Sequence, residues 1–333
     1  MPSPERISLA QLPTPWHPLP RFSAEIAGAD VWIKRDDCTG LAFGGNKARK
    51  LEYLMQAARA AGADTVVTFG GVQSNHARST AAACRQTGMD CHLILAGSPP
   101  DEVTGNLLLC RLLGATLSFL SLTPAQLTAG RVEEAYVQVE DRLRTQGRRS
   151  FRIPPGGSTA LGVLGYRAAF DETMEQAASS GSVPGRLVVA FGTGGTLAGL
   201  ILGNVLAGRP CRVTGVSVAP PGMPDALGVA PVEQLVRDGA AAEGRSVDLR
   251  PGDVEITYEH AGRAYGAPTT EGMEAIRSLA RTEGIFLDPV YTSKAMAALI
   301  DMARSERQAG KALGFFHTGG TPALFAYHAA LAR

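Results

Sequence analysis

The chain has 333 residues, 45% of them hydrophobic and 19% charged, enough for two domains with buried cores and too apolar for extensive disorder. Its 32 lysines and arginines nearly cancel 31 aspartates and glutamates, so a net charge of +1 leaves no electrostatic footprint for nucleic acid or an anionic membrane; small molecules are the expected partners. The five cysteines form no Cys-x-x-Cys pair and the six histidines show no metal-ligand spacing, which argues against a disulfide framework and against a zinc site; no metal is expected.

Residues 1–15 hold neither a long apolar core nor a small-residue cleavage pattern, so no secretory signal is expected and the cytoplasm is the default location. Residues 31–34 read as a strand and the periodicity over 47–61 as a helix. Strands are predicted at 66–69 and 91–95, with a helix over 75–86 between them. A helix over 104–113 and a strand at 116–120 follow. Thr123 with Pro124 then opens a long amphipathic helix running toward Arg144. This alternation is the βαβ rhythm of a parallel sheet.

The second half opens with Phe-Arg-Ile-Pro-Pro-Gly-Gly-Ser at 151–158, then a helix near 161–175 and strands at 187–191 and 212–218. The Pro- and Gly-rich stretch 219–252 reads as irregular. A strand at 313–317 runs into a glycine turn and a last helix. Residues 187–208 carry no charge over roughly a membrane-spanning length, but Gly-Thr-Gly-Gly-Thr splits them into a buried strand and a buried helix. With no repeat or low-complexity linker, a domain boundary rests on the glycines near Gly44 and at Gly156-Gly157.

Certain turns in this series carry chemistry. Gly44-Gly45-Asn46-Lys47 places one lysine at the first turn of a helix behind a glycine hinge, as a lysine joined to an aldehyde cofactor would need. Gly70-Gly71-Val72-Gln73-Ser74-Asn75-His76 and Gly192-Thr193-Gly194-Gly195-Thr196 each follow an apolar run and open a helix, so their amides face an anion; the threonine hydroxyls of the second add donors for a phosphate. That second turn lacks the Gly-x-Gly-x-x-Gly spacing of a dinucleotide site. Cys38, in Lys34-Arg35-Asp36-Asp37-Cys38, lies nearest the candidate lysine and is a further candidate for the site.

With these residues in hand the chain resembles the pyridoxal-phosphate enzymes of the tryptophan synthase β-like fold (fold type II), and within them the D-cysteine desulfhydrase and 1-aminocyclopropane-1-carboxylate (ACC) deaminase family. The resemblance runs through 33–37, 44–53, 73–78, 105–109, 155–158, 192–196, 287–294 and 317–322, nearly the whole chain. It implies an α/β architecture of two open parallel-sheet lobes, with residues 1–47 and 158–333 forming the large cofactor-binding lobe and 48–157 a small inserted lobe. It also implies a homodimer, although no sequence feature fixes an interface.

The resemblance assigns Lys47 to the cofactor's aldehyde carbon and, once freed, to the Cα proton. Asn75 is expected at the ring oxygen, Thr193, Gly194, Gly195 and Thr196 at the phosphate, and Tyr291 against the ring. Thr292 or Thr318 would face the ring nitrogen. Ser74 with its neighbouring amides, Asn75, His76 and Gly157 would hold the substrate, and Tyr265 joins Lys47, Ser74 and Tyr291 as a catalytic candidate. Ser74 and Asn75 also read as helix caps, and the tyrosines as core aromatics.

The implied reaction is β-elimination from a small amino acid. ACC deaminases carry Tyr-Glu where this chain has Tyr291-Thr292, and a neutral hydroxyl makes a weaker electron sink, one that suits a good leaving group. D-cysteine desulfhydrase, releasing sulfide, pyruvate and ammonia, is therefore favoured over ACC deaminase. L-cysteate sulfo-lyase remains an alternative, because Ser293 and Ser79-Thr80 depart from the desulfhydrase pattern. A catalytically silent cofactor-binding protein is the reading from another class.

Overall fold

The computed structural model describes residues 4–26, 28–122, 126, 128–222, 228–305 and 311–331. The first third holds β1 (Trp16–Pro18), α1 (Pro20–Glu25), β2 (Val31–Arg35), α2 (Lys47–Ala60), β3 (Thr65–Gly71), α3 (Asn75–Thr87), β4 (Asp90–Ala96) and α4 (Gly105–Leu112). The middle holds β5 (Thr116–Leu120), α5 (Ala129–Thr145), β6 (Ser150–Ile153), α6 (Ala160–Ser179), β7 (Arg186–Phe191), α7 (Gly195–Leu206) and β8 (Arg212–Ser217). Then come α8 (Val229–Ala242), β9 (Glu255–Thr257), α9 (Thr270–Glu283), α10 (Thr292–Ser305), β10 (Leu313–His317), α11 (Ala323–Ala326) and α12 (His328–Leu331).

Two sheets result. One has the order β1-β2-β10-β7-β8-β9, parallel except for β1, and the other β5-β4-β3-β6, parallel throughout. The larger sheet is covered on both faces, which is why β7 is apolar at every position after Arg186. Leu187, Val189 and Phe191 pack with α6, α7 and α8, while Val188 and Ala190 pack with α9 and α10. The smaller sheet packs α2, α3 and α4 on one face and α5 on the other. Leu9, Ala10 and Leu41, all before residue 48, share its core.

Helix starts are set locally. Ser74 accepts the Ala77 N–H, Thr159 that of Gly162, and Thr269 that of Gly272. The chain leaves α3 and α9 through Gly88 and Gly284, whose φ of 73° and 68° only glycine adopts readily.

The expectations for 219–252 and for the C-terminus are corrected. Helix α8 lies inside the stretch read as irregular, because Val232, Val236 and Ala240 recur at helical spacing on a buried face and Pro231 sits in the first turn, where no N–H is needed. The last helix appears as two single turns, α11 and α12. The Thr123-Pro124 start lies outside the described residues; α5 is capped by Thr128 instead. Residues 187–208 resolve into β7, the turn and α7, and no helix among the described residues is long and apolar enough to cross a membrane.

Helix α2 is anchored on its far side by a buried ionic cluster. Arg49 donates to both carboxylate oxygens of Asp36 at 2.8 and 2.9 Å and to both of Glu172 at 2.9 Å. Tyr166 donates to Asp36 at 2.6 Å, and Lys34 pairs with the same glutamate. The next turn is fixed by Glu52, which accepts the main-chain N–H groups of Leu9 and Ala10, both at 3.0 Å. The first turn of α2 is thus locked to β2, α6 and the N-terminal segment.

Candidate active site

A cavity of about 860 Å³ opens at the C-terminal ends of β3, β4, β6 and β7, where parallel sheets expose helix N-termini. Lys47, Ser74, Asn75 and His76 line one side; Thr193, Gly194, Thr196, Tyr265, Tyr291 and Thr318 line the other. Of the expected site residues, Gly157, Gly195 and Thr292 lie behind this wall.

Lys47 is the first residue of α2, and its Nζ bonds the Asn46 side-chain oxygen at 3.0 Å. The hinge before it must be glycine: a Cβ on Gly44 would stand 1.9 Å from the Asp37 carbonyl oxygen, and Gly45 has φ 114°. Burial, reinforced by the charge of Arg78 and opposed by Asp288, lowers the Lys47 pKa to about 8. Arg78 does not reach the cavity. Its buried guanidinium donates to the Gly44 carbonyl at 2.8 Å, leaving Nε and one terminal nitrogen without a partner.

The Gly192–Thr196 turn forms a cradle. Gly194, at φ 85°, is the N-cap of α7, whose first-turn N–H groups lack intrahelical acceptors. Thr196 accepts from the Asn46 amide at 2.9 Å and keeps its own proton to donate. Ser158 bonds the Thr193 hydroxyl at 2.8 Å and accepts the Gly195 N–H at 3.1 Å. Lys50, a residue the sequence reading missed, is buried one helical turn from Lys47, with its ammonium 3.2 Å from the Gly156 carbonyl. A Cβ on Gly195 would fall 2.9 Å from Lys50 Nζ, and one on Gly156 would fall 2.1 Å from Thr193 Oγ1. Burial and the neighbouring Lys47 hold Lys50 well below its ordinary pKa, and a dianion in the cradle would favour its charged form.

Asn75 is oriented by Asn106, another residue the sequence reading gave no role. The Asn106 amide donates to the Gln73 carbonyl at 2.9 Å and to Asn75 Oδ1 at 2.8 Å, while Gln73 Oε1 accepts the Asn106 N–H. With its oxygen engaged, Asn75 presents its amide N–H₂ to a ligand. Ser74 caps α3 by accepting from Ala77 at 3.1 Å and retains a hydroxyl proton; a Cβ on Gly70 would collide with it at 2.5 Å.

Across the cavity, Tyr291 stands over the turn, 3.5 Å from where a Cβ on Gly192 would lie, and its hydroxyl is hydrogen-bonded to that of Tyr265 with the rings edge to face. Burial and Tyr265 raise the Tyr291 pKa well above the ordinary phenol value, keeping it protonated. Thr292 is spent elsewhere: its hydroxyl donates to Asp288 Oδ1 at 2.8 Å and accepts the Asp288 N–H at 2.7 Å, so Thr318 is the hydroxyl left facing the cavity. Asp288 itself also accepts from the N–H groups of Val290, Tyr291 and Thr292.

His76 meets Thr68 Oγ1 at 2.9 Å; that hydroxyl gives its proton to the Ile153 carbonyl, so the imidazole must carry its proton on Nε2. Gly157 packs under His76 and Leu54 and is not part of the cavity wall. Cys38 is exposed, points to Asp37 and takes no part in the wall.

An amine that sheds its proton near neutral pH, set one helical turn from an anion cradle, is what a phosphorylated aldehyde asks of a protein, and the fold and cavity define a cofactor-dependent enzyme of that class. Comparison agrees: the family model described as pyridoxal-phosphate dependent enzyme matches residues 7–319, and the chain belongs to that family. A putative ACC deaminase of Pyrococcus horikoshii is 39% identical over 322 residues, covering 97% of this chain and 94% of that protein. A D-cysteine desulfhydrase of Klebsiella pneumoniae is 39% identical over 332 residues, covering 97% and 96%. A crystal structure titled as an ACC deaminase homologue superposes with a TM-score of 0.87 at 38% identity, covering 98% of this chain and 95% of that one. O-ureido-L-serine synthase, at 17% identity, a TM-score of 0.67 and coverage of 95% and 92%, shares the fold. The chain is thus a pyridoxal-phosphate dependent lyase of the ACC deaminase and D-cysteine desulfhydrase family, and equal identity to both names leaves the substrate open.

A primary amine attacks an aldehyde only when unprotonated, so uptake of pyridoxal phosphate by the apo protein is expected to rise with pH and level off above about 8. Arg78→Met removes a positive charge that disfavours the ammonium form, so the midpoint moves up and uptake at neutral pH slows. The rate of the cofactor's absorbance change, followed across pH for both proteins, checks this. An unchanged midpoint in the variant would rule out the electrostatic part given to Arg78.

Proposed function

We propose that the chain converts D-cysteine and water to pyruvate, sulfide and ammonia. The observation that carries the reading is the neutral hydroxyl of Thr318 in the cavity wall, together with a nearby buried carboxylate, Asp288, whose oxygens are already filled by four donors. When bound, pyridoxal phosphate supplies a conjugated ring that takes up electrons from the substrate's Cα. Were the Thr318 hydroxyl the ring's partner, that pull would be moderate, enough to expel a thiolate and short of what opening a cyclopropane asks.

In this reading Lys47 would hold the cofactor through its Nζ, and the same amine would take the proton from the substrate's Cα. The cradle of Thr193, Gly194, Gly195 and Thr196, with Lys50, holds the phosphate. Asn75 and Tyr291 would hold the ring, the first through its amide N–H₂ and the second through its aromatic face. Ser74 and the first N–H groups of α3 bind the substrate carboxylate, and the Tyr265–Tyr291 hydroxyl pair donates to the departing sulfur.

The test is a parallel assay of the cofactor-loaded protein with D-cysteine, L-cysteine, L-cysteate and ACC. Pyruvate with sulfide from D-cysteine is the expected result. Pyruvate with sulfite from cysteate moves the substrate while keeping the elimination, and 2-oxobutanoate from ACC overturns the argument from Thr318.

A further inference from the structure

Lys294, the third residue of α10, is wholly buried, at a helix N-terminus where the dipole disfavours a positive charge. None of the described salt bridges includes it, and the oxygens of Asp288 are committed to α10's own first turn. Its ammonium lies between two main-chain carbonyls instead, Val218 at 3.0 Å and Ala261 at 2.6 Å. Val218 directly follows β8. Ala261 belongs to the loop over 258–266 that carries Tyr265 into the cavity.

The loop passes close: Gly262 has φ 74°, and a Cβ there would stand 3.7 Å from Lys294 Nζ. Three residues before Lys294, Tyr291 makes a second tie to the same loop, hydroxyl to hydroxyl with Tyr265, and the loop is also met by Tyr327, which donates to the Gly266 carbonyl at 2.8 Å, and by Asp301 at His260. Burial lowers the Lys294 pKa to about 8 against the pull of Asp288, so the protein keeps a charge here at a cost that the two carbonyls offset. An apolar side chain would fill the same space without that cost. What the ammonium adds is a link between the end of β8 and the tyrosine loop.

We propose that Lys294 is a positioning residue whose ammonium, lodged between the Val218 and Ala261 carbonyls, holds the Tyr265 loop so that its hydroxyl meets Tyr291. The proposal rests on the reading of that tyrosine pair as part of the active site.

Lys294→Ala leaves two carbonyls facing a space that a small N–H donor cation can enter. In the cofactor-loaded variant kcat is expected to fall about 10- to 100-fold, as misplacing a reacting group does. Ammonium or methylammonium chloride should restore part of it, tetramethylammonium chloride at equal ionic strength should not, and the parent protein should respond to none. Trypsin cleavage after the exposed Arg263 reports the loop without using activity: the variant should be cut faster, and ammonium should slow the cutting.

A folded variant with the parent's rate and cleavage, or a slow one indifferent to ammonium, overturns the proposal. If the alanine variant lacks cofactor or native circular dichroism, Lys294→Met, which fills the space without a donor, enters the same two assays, and parent-like values there overturn it equally. Tyr265→Phe separates the two readings. Parent-like turnover in that variant refutes the tyrosine pair alone, leaving the cleavage result to judge Lys294.

Discussion

Replacing Lys47 by alanine is expected to leave a folded protein that binds pyridoxal phosphate and turns nothing over. The loss combines the covalent attachment with the base for the Cα proton, and the base alone is worth roughly 10²- to 10⁴-fold. Stability should not suffer. In the native state the Lys47 pKa is about 8 against an ordinary 10.5, so below pH 8 the fold bears the cost of a buried charge, and this group makes it more stable as pH rises from about 8 to 10.5. Alanine removes that cost at neutral pH. A pyruvate assay beside a thermal melt checks both parts, with the bound phosphate read after gel filtration. Turnover within tenfold of the parent would show that another group carries the chemistry, and loss of cofactor together with turnover would show that the Gly192–Thr196 cradle does not hold the phosphate alone.

The largest effect on stability is expected from Arg49→Met. The variant leaves the fully buried Asp36 with hydroxyl donors from Tyr166 and Thr14 but without its described ion-pair partner, and leaves Lys34 as the described cation on Glu172. Removing one member of a buried ionic group typically costs about 3–5 kcal/mol, because the remaining charge is left without compensation. In the parent, Arg49 and Lys34 hold the Glu172 pKa down to about 2 from an ordinary 4.5, against the opposing effect of its burial. A depressed carboxyl pKa stabilises the fold above the unfolded value and stops doing so as pH falls through the folded one, so this contribution disappears between about pH 4.5 and 2. Melting temperatures taken from pH 7 down to 3 should therefore converge for parent and variant toward the acid end. Parallel curves would mean that the cluster is not what separates them. Arg49→Lys keeps the charge without the planar fork that spans both carboxylates, and should fall between the two.

Much of the site was legible in the chain because backbone sterics wrote it there. Gly44, Gly156 and Gly194 stand where any side chain would strike a carbonyl, a hydroxyl or a forbidden φ, and the turn at Gly194 is announced as well by the apolar run before it. Polar residues whose meaning depends on distant partners were not legible. Lys50 reads as an ordinary helix lysine until Gly156 and Ser158 arrive from far along the chain, and Asn106 reads as a helix residue until Gln73 and Asn75 turn it. The two hydroxyls offered for the ring nitrogen, Thr292 and Thr318, look alike in sequence; only the capping of α10 by Asp288 separates them. Helix α8 was hidden for another reason: its proline and glycine mimic a loop, and its buried stripe shows only when Val232, Val236 and Ala240 are taken together.

The first two turns of α2 send side chains in opposite directions, Lys47 and Lys50 toward the cavity and Arg49 and Glu52 toward buried carboxylate and amide partners. An α-helix advances about 100° per residue. Adding or deleting one residue between Lys47 and Arg49 would therefore swing the Lys47 amine off the cavity while the ionic cluster held Arg49, and with it Lys50, in place. This short stretch works as a phase-locked segment, as constrained in length as it is in side chain.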